Sequence, residues 1–332
     1  MADISTTYLG LKLKSPVIAG SSPLTDNVKS IKNLADAGVG AVVLKSLFEE
    51  QIMMDVDSLQ VNNIHGSYDD IENLASYFTK QKSVNEYLTL IKEAKKATDI
   101  PIIASINCMS PGEWIDFAVK IEAAGADALE LNIFLMPASV EFSGQDYEKT
   151  YFDLIDQVVK KVKIPISIKI SNYFSGMANF LSRLSQTGIQ GMVLFNRFYD
   201  TDIDVDKQTL TSRSFSSHVA DNSNVLRWIG ILSPHVSCDL AASTGVVDGD
   251  TVIKDMLAGA TATQVVSVLL TQGPGIVQKI NDRLKQWMKE KNYLHTSDFI
   301  GKLNQKNVKK PILFERTQFM KYFSNLDYVS PK

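Results

Sequence analysis

Four stretches of this chain repeat one device: "ADAGVGAVVLKS", "EAAGADALELN", "SQTGIQGMVLFN" and "LAGATATQVVSV". In each, a helical pattern ends at glycine, a tight turn follows, and an apolar strand begins within a few residues. Strand-like runs recur along the chain at "PVIAG" (16–20), "AVVLKS" (41–46), "PIIASIN" (101–107), "ALELNI" (128–133), "PISIKIS" (165–171), "GMVLFN" (191–196), "CDLAAS" (238–243) and "TQVVSVLL" (263–270). They are mostly apolar without alternation, as strands covered on both faces must be. Helical patterns fall between them, among them 27–38, 113–125 and 251–260, which place Gly38, Gly125 and Gly259 at their ends. Eight strands alternating with helices predict an α/β fold, a closed (β/α)₈ TIM barrel spanning residues 1–332 as one domain. An open doubly wound sheet is the rival. It lacks support, because no G-x-G-x-x-G follows the first strand.

The remaining bulk properties mainly exclude. A chain of 332 residues with a formal net charge of −3 and no Lys/Arg block offers nothing aimed at nucleic acid or an anionic membrane. No apolar run reaches the roughly 20 residues of a membrane span, and the first residues form no apolar leader. The two cysteines, Cys108 and Cys238, are too few and too far apart for a disulfide framework or a zinc site. A reducing cytoplasm fits these bounds.

Two segments after strands are long: from Leu47 to about 83, containing "VNNIHGSYDD", and from Arg197 to about 225, containing "DTDIDVDKQTL". In a barrel of this type, loops after the strand C-termini build the active site. Lids, surface decoration and a dimer contact all suit segments of this length.

Several strands end on polar residues at that same rim: Lys45 and Ser46, Asn107, Asn132, Lys169 and Ser171, Asn196 and Arg197, Ser243 and Thr244, and Ser267, read as part of strand eight. An ammonium in a barrel mouth needs an anion or a ring of acceptors. For Lys45 and Lys169 that partner is a bound ligand or, on a purely structural reading, a barrel carboxylate such as Glu130. Three asparagines on the rim suit a flat heterocycle with amide edges, although one buried asparagine alone is more often a satisfied core residue. Ser243, Thr244, Gly245 and Ser267 lie where strands seven and eight of such barrels commonly bind phosphate, although S-T-G also begins ordinary helices. Arg197 is placed either for a substrate carboxylate or for a loop ion pair with Asp200, Asp202 or Asp204.

In order along the chain, "YLGLKLKSPVIAGS", "AGVGAVVLKS", "ELN", "ISIKIS" and "TGVVDGDTVIKDMLAGATATQVVSVLLTQGP" resemble the soluble, FMN-dependent dihydroorotate dehydrogenases. The resemblance implies an N-terminal hairpin before the first barrel strand, an FMN cofactor and a cytoplasmic homodimer working in pyrimidine biosynthesis. It implies FMN contacts from Ala19, Gly20, Lys45, Ser46, Asn107, Asn132 and Lys169, with Ser243, Thr244, Gly245 and Ser267 around the phosphate. Asn132, Asn196 and Arg197 then face the substrate. The implied reaction removes a proton from C5 of a dihydropyrimidine such as dihydroorotate and passes a hydride from C6 to N5 of the flavin.

Three departures bear on that reaction. Where the family carries a catalytic Cys or Ser in an N-[LV]-S-C-P-N-like loop, this chain reads "NIFLMPAS", with Leu135 near the position of the base. The phosphate loop G-[TS]-G-G reads "ASTG", and the asparagine-rich loop after strand two also differs. Leucine accepts no proton, and losing a positioned base lowers a rate by about 10²–10⁴. The candidate replacements are His65, whose ordinary pKa suits the task, then His218, with Cys108, Ser139, Ser143 and Tyr173 behind them. Three readings follow: a dihydroorotate dehydrogenase-type enzyme, an FMN barrel with another heterocyclic substrate or a binding or regulatory role, and a barrel acting on a phosphorylated substrate. The two lysines and "VVLKS" favour flavin over the third.

Overall fold

The computed structural model describes residues 2–48, 68–107, 111–197, 201–212 and 217–315. The chain opens with an antiparallel hairpin, β1 (Thr6–Tyr8) and β2 (Leu11–Leu13), then enters the barrel through β3 (Val17–Ala19) and β4 (Ala41–Val43). A short strand β5 (Leu47–Phe48) extends that line beside β6 (Ile102–Asn107). The barrel continues with β7 (Ala128–Asn132), β8 (Ile166–Ile170) and β9 (Gly191–Leu194). An outlying hairpin, β10 (Thr201–Asp204) with β11 (Thr209–Ser212), precedes the last barrel strands, β12 (Asp239–Ser243) and β13 (Ala262–Val265). Parallel pairing runs β3–β4–β6–β7–β8–β9–β12–β13 and returns to β3, so eight strands close the barrel. The continuous apolar runs are explained by burial on both faces: β3, β4 and β6 to β9 have no exposed residue.

Helices coat the outside: α1 (Val28–Asp36), α2 (Tyr68–Ala97), α3 (Pro111–Ala124), α4 (Gly144–Val159), α5 (Met177–Leu184), α6 (Val219–Leu232), α7 (Gly249–Ala258), the short α8 (Ser267–Gln272) and α9 (Ile276–Glu290). The sequence device works through local chemistry. Asn27 caps α1 by accepting from the Ser30 N–H at 2.9 Å, Ile31 and Leu34 turn inward, and Gly38 at φ +97° releases the chain into β4. None of the described helices is long and apolar enough to cross a membrane.

Inside the barrel there are two layers of different character. Ile18, Ala41, Val43, Ile103, Ala128, Val193, Ala241 and Ala262 pack with Tyr8, Leu9 and Leu13 of the hairpin, which plugs the N-terminal end. Burying each of those three large side chains contributes about 1.5–3 kcal/mol. Gly191 makes the room: a Cβ there would lie 2.4 Å from Leu9 Cδ2. Above this plug the lining turns polar, with Ser105, Glu130, Ser167, Lys169 and Gln264 all buried.

Three expectations change in detail. Strand eight stops at Val265, and Ser267 opens α8 instead of lying on the strand. An apolar run of this length suits a buried strand or a buried helix equally, so pattern alone could not divide it. The segment after strand two is helical from Tyr68, within the stretch expected to be loop. The segment after strand six carries β10 and β11, and α6 begins at Val219, before 225.

Candidate active site

At the C-terminal mouth a cleft of about 210 Å³ lies among Ser21, Lys169, Asn196, Arg197, Ser217, the run Ser243–Val246, Gln264, Val266 and Ser267. Among the described residues of that lining two are cations and none is a carboxylate, so this part of the cleft suits an anionic or electron-rich ligand. Seven residues singled out in the sequence meet here: Lys169, Asn196, Arg197, Ser243, Thr244, Gly245 and Ser267.

The remaining rim residues reach the cleft through neighbours. Asn132 ends β7 beside Lys169 of β8, and its Oδ1 accepts from Asn196 Nδ2 at 2.5 Å. Ser46 donates its backbone N–H to Ser21 Oγ at 2.8 Å, and its own hydroxyl lies 2.7 Å from that of Ser105. Ala19 ends β3 and Gly20 follows it, where the Gly20 N–H donates to the Val265 carbonyl at 3.0 Å. A Cβ on Gly20 would lie 2.8 Å from Val266 Cγ2, which keeps that position bare. Asn107 is buried at the end of β6, while Lys45 is half-buried just beyond β4.

The opposite wall is a strained turn. Thr244 and Gly245 hold φ of +83° and +74°, and a β-branched residue in that region is a conformational outlier. Tertiary bonds hold it: Thr244 Oγ1 donates to the Phe195 carbonyl at 3.1 Å, and Asn222 Nδ2 donates to the Thr244 carbonyl at 3.4 Å. Asn222 is itself fixed by Asp255, whose two carboxylate oxygens accept from Nδ2 at 3.2 Å. Burial pushes the Asp255 carboxyl up to about 8, against the opposing hydrogen bond from Asn222 and the charge of Lys254. Ser217 and Ser267 pair at 2.7 Å through their hydroxyls and close this wall. Small hydroxyls, a glycine turn and a nearby cation form a donor set that fits a phosphate-bearing flavin.

Lys169 is the best-defined group in the cleft. Its Nζ donates to Gln264 Oε1 at 3.0 Å, and Gln264 Nε2 donates to Glu130 Oε2 at 2.6 Å. Burial depresses the Lys169 pKa and the Glu130 charge opposes that shift; burial raises Glu130 and Lys169 opposes it. The carboxylate expected as the lysine's partner is therefore present, one amide away. Sequence reasoning missed Gln264, Ser21 and Ser217. A polar residue two positions after Ala262 on an apolar strand was the available signal for Gln264, since period-two alternation puts both on the barrel interior.

The segment after β7 carries no acid–base group at the expected place. Leu135 is half-buried against the core, whereas Phe134, Met136, Val140 and Phe142 are exposed. Ser139 Oγ accepts from the Glu141 N–H at 3.1 Å, and Ser143 caps α4 with its hydroxyl on Asp146 at 2.6 Å, so both serve the local backbone. His218 is an exposed N-cap residue of α6, and its backbone N–H donates to Asp221 at 2.8 Å. Among the described residues Arg197 lies 3.9 Å from Asp221; of the loop aspartates the sequence offers, Asp200 lies outside the described residues. Asp200, His65 and Cys108 lie outside the described residues, as do Asn62 and Asn63. Among the described residues no His/Cys/Asp/Glu cluster could hold a metal ion.

Comparison with known proteins agrees with this geometry. The family model for dihydroorotate dehydrogenase matches residues 3–288. The catalytic subunit of dihydroorotate dehydrogenase B (NAD(+)) from Thermoplasma volcanium is 26% identical over 91% of this chain and 98% of its own length. Its counterpart from Methanocaldococcus jannaschii is 26% identical over 90% of this chain and 97% of its own. The NAD-dependent dihydropyrimidine dehydrogenase subunit PreA of Escherichia coli is 22% identical over 91% of this chain and 77% of its own. With the match running from the hairpin through most of α9, and with a barrel whose mouth suits an electron-rich anion, the chain belongs to the dihydroorotate dehydrogenase family of flavin-dependent oxidoreductases.

Proposed function

We propose that the cleft binds FMN and that the enzyme oxidises a dihydropyrimidine such as dihydroorotate. The observation that carries this reading is the make-up of the cleft: a buried lysine on one wall, hydroxyl and glycine residues on the other, and no carboxylate among the described residues that line it. Bound there, FMN supplies a hydride acceptor that no amino-acid side chain provides. In this reading Ser243, Thr244, Gly245 and Ser267 hold the phosphate. Ala19, Gly20, Lys45, Ser46, Asn107, Asn132 and Lys169 orient the ring. Asn132 and Asn196 present amide groups to the substrate heterocycle, and Arg197 pairs with its carboxylate.

The purified protein is expected to be yellow and to release FMN on denaturation. Anaerobic addition of dihydroorotate should bleach it, at a rate about 10²–10⁴ below that of an enzyme with a positioned base unless a residue such as His65 supplies one. A colourless protein that takes up no added FMN sinks the proposal. The half-buried Leu135, packed on the core where a base is expected, supports a second reading. In it the FMN barrel lacks dihydroorotate dehydrogenase activity and serves another heterocycle or a binding or regulatory role. A yellow protein that dihydroorotate never bleaches, tested beside a panel of related heterocycles, selects that reading.

The resemblance also supports a cytoplasmic homodimer acting on a small molecule, with neither nucleic acid nor membrane as partner. Sedimentation equilibrium should give twice the chain mass; a single-chain mass across micromolar concentrations overturns the dimer.

A further inference from the structure

Gln264, Lys169 and Glu130 form a strut across the barrel lumen. Gln264 stands on β13, while its two partners stand on β8 and β7, which are not neighbours of β13 in the barrel. Lys169 and Gln264 line the cleft, whereas Glu130 lies beneath it, above the apolar plug. All three are buried, at 7%, 2% and 1% exposure respectively.

The strut has a direction. An amide has one donating and one accepting end. The Glu130 carboxylate can only take the donating end, which leaves the amide oxygen facing the Lys169 ammonium. Reversing the amide would set two acceptors together at one end and two donors at the other. Negative charge at Glu130 is thus passed on as a fixed acceptor for the lysine. The other carboxylate oxygen, Glu130 Oε1, has no hydrogen-bond partner among the described residues, nor has the hydroxyl of Tyr8 or of Ser167. A buried carboxylate with half its acceptors unused is expensive, and the packing of the plug gives no reason to retain it. Its one hydrogen bond among the described residues leads to the cleft.

We propose that Glu130 and Gln264 are positioning residues: through the Gln264 amide, the Glu130 carboxylate keeps the Lys169 ammonium charged and fixed at the cleft, where it faces the ring of a bound flavin. The flavin half of this statement rests on the function proposed above; the coupling of the three side chains does not. With an ammonium held beside it, the ring accepts negative charge more readily, so the relay raises the flavin's reduction potential.

The test has two arms and three variants: Glu130→Gln, Gln264→Met and Lys169→Met. In protein stripped of cofactor, pH-dependent competitive acetylation read by peptide mass spectrometry gives the ionisation of Lys169 directly, with exposed Lys160 as internal reference. Glu130→Gln and Gln264→Met are each expected to lower the Lys169 pKa by at least one unit, a tenfold change, and to leave Lys160 unmoved. In FMN-loaded protein, both variants should lower the two-electron midpoint potential by about 30 mV or more, the equivalent of tenfold. Lys169→Met should give at least as large a fall. Gln264→Met removes no buried charge, so it carries the test even if Glu130→Gln fails to fold. Unchanged Lys169 ionisation with an unchanged potential overturns the relay. A shifted Lys169 in a protein that binds no FMN upholds the coupling and overturns the flavin reading alone.

Discussion

The Gly245→Ala variant is expected to fold but to lose FMN, with a dissociation constant at least about 100-fold higher than that of the parent protein, the equivalent of about 3 kcal/mol of lost binding. Two penalties coincide at this residue. Its φ of +74° lies in the left-handed region, where an L side chain costs about 1–2 kcal/mol. Its new Cβ would also lie 2.4 Å from the Asn222 backbone nitrogen and 2.8 Å from the His218 carbonyl oxygen. Both are backbone atoms at the start of α6, so neither can swing away as a side-chain tip would. The turn must shift, carrying Thr244 and Ser243 out of the cleft wall. Gly125→Ala is the matched control, since Gly125 sits at φ +93° with nothing within 4 Å of its would-be Cβ. That variant should keep its flavin and lose about 1–2 kcal/mol of stability, the backbone term alone. Fluorescence titration of FMN into stripped protein measures both. Equal affinity in Gly245→Ala and the parent removes the turn from the cofactor site.

Asp255→Asn should change the shape of the stability profile against pH. Folding raises the Asp255 pKa from an ordinary carboxylate value to about 8, chiefly by burial. Below pH 4 the group is protonated in both the folded and the unfolded chain and contributes no penalty. As pH rises, the unfolded chain ionises first while the folded protein holds the proton, so stability falls. The loss is complete once pH passes the folded value near 8. The size of the effect is on the order of a few kcal/mol. An asparagine keeps the oxygen that accepts from Asn222 and removes the titration. The parent's urea midpoint, less its value in the variant, should therefore fall from pH 5 to about pH 8 and level off above it. Parallel profiles for the two proteins would mean that Asp255 does not carry this linkage. Because Asn222 also holds the Thr244 carbonyl, the variant should retain FMN at pH 7.

Part of the site was legible because it lies where local patterns end. Lys169, Asn132 and Ser243 are polar residues at the C-terminal ends of apolar strands, and a barrel sends those ends to one rim. The same logic misread Ser267, since "VVSVLL" satisfies a buried strand and a buried helix alike, and the ladder simply stops at Val265. Arg197 has aspartates nearby in the sequence, and among the described residues the fold adds Asp221 at the head of α6, 3.9 Å away. Ser139 and Ser143 are candidate bases by residue type alone, and the fold commits their hydroxyls to the Glu141 N–H and to the cap of α4.

By itself the sequence determined the alternation of strand and helix, the glycine stops and the closed barrel. Each is governed by burial and backbone geometry acting over a few residues at a time. Only the tertiary structure decided which polar groups meet. Glu130 and Gln264 lie 134 positions apart, Lys169 and Gln264 lie 95, and Asn132 and Asn196 lie 64. Those meetings depend on how eight strands stagger as they close, which side chain points into the lumen at each level, and how far the hairpin plug rises beneath them. No local pattern encodes that registration, because it is a property of the closed ring as a whole.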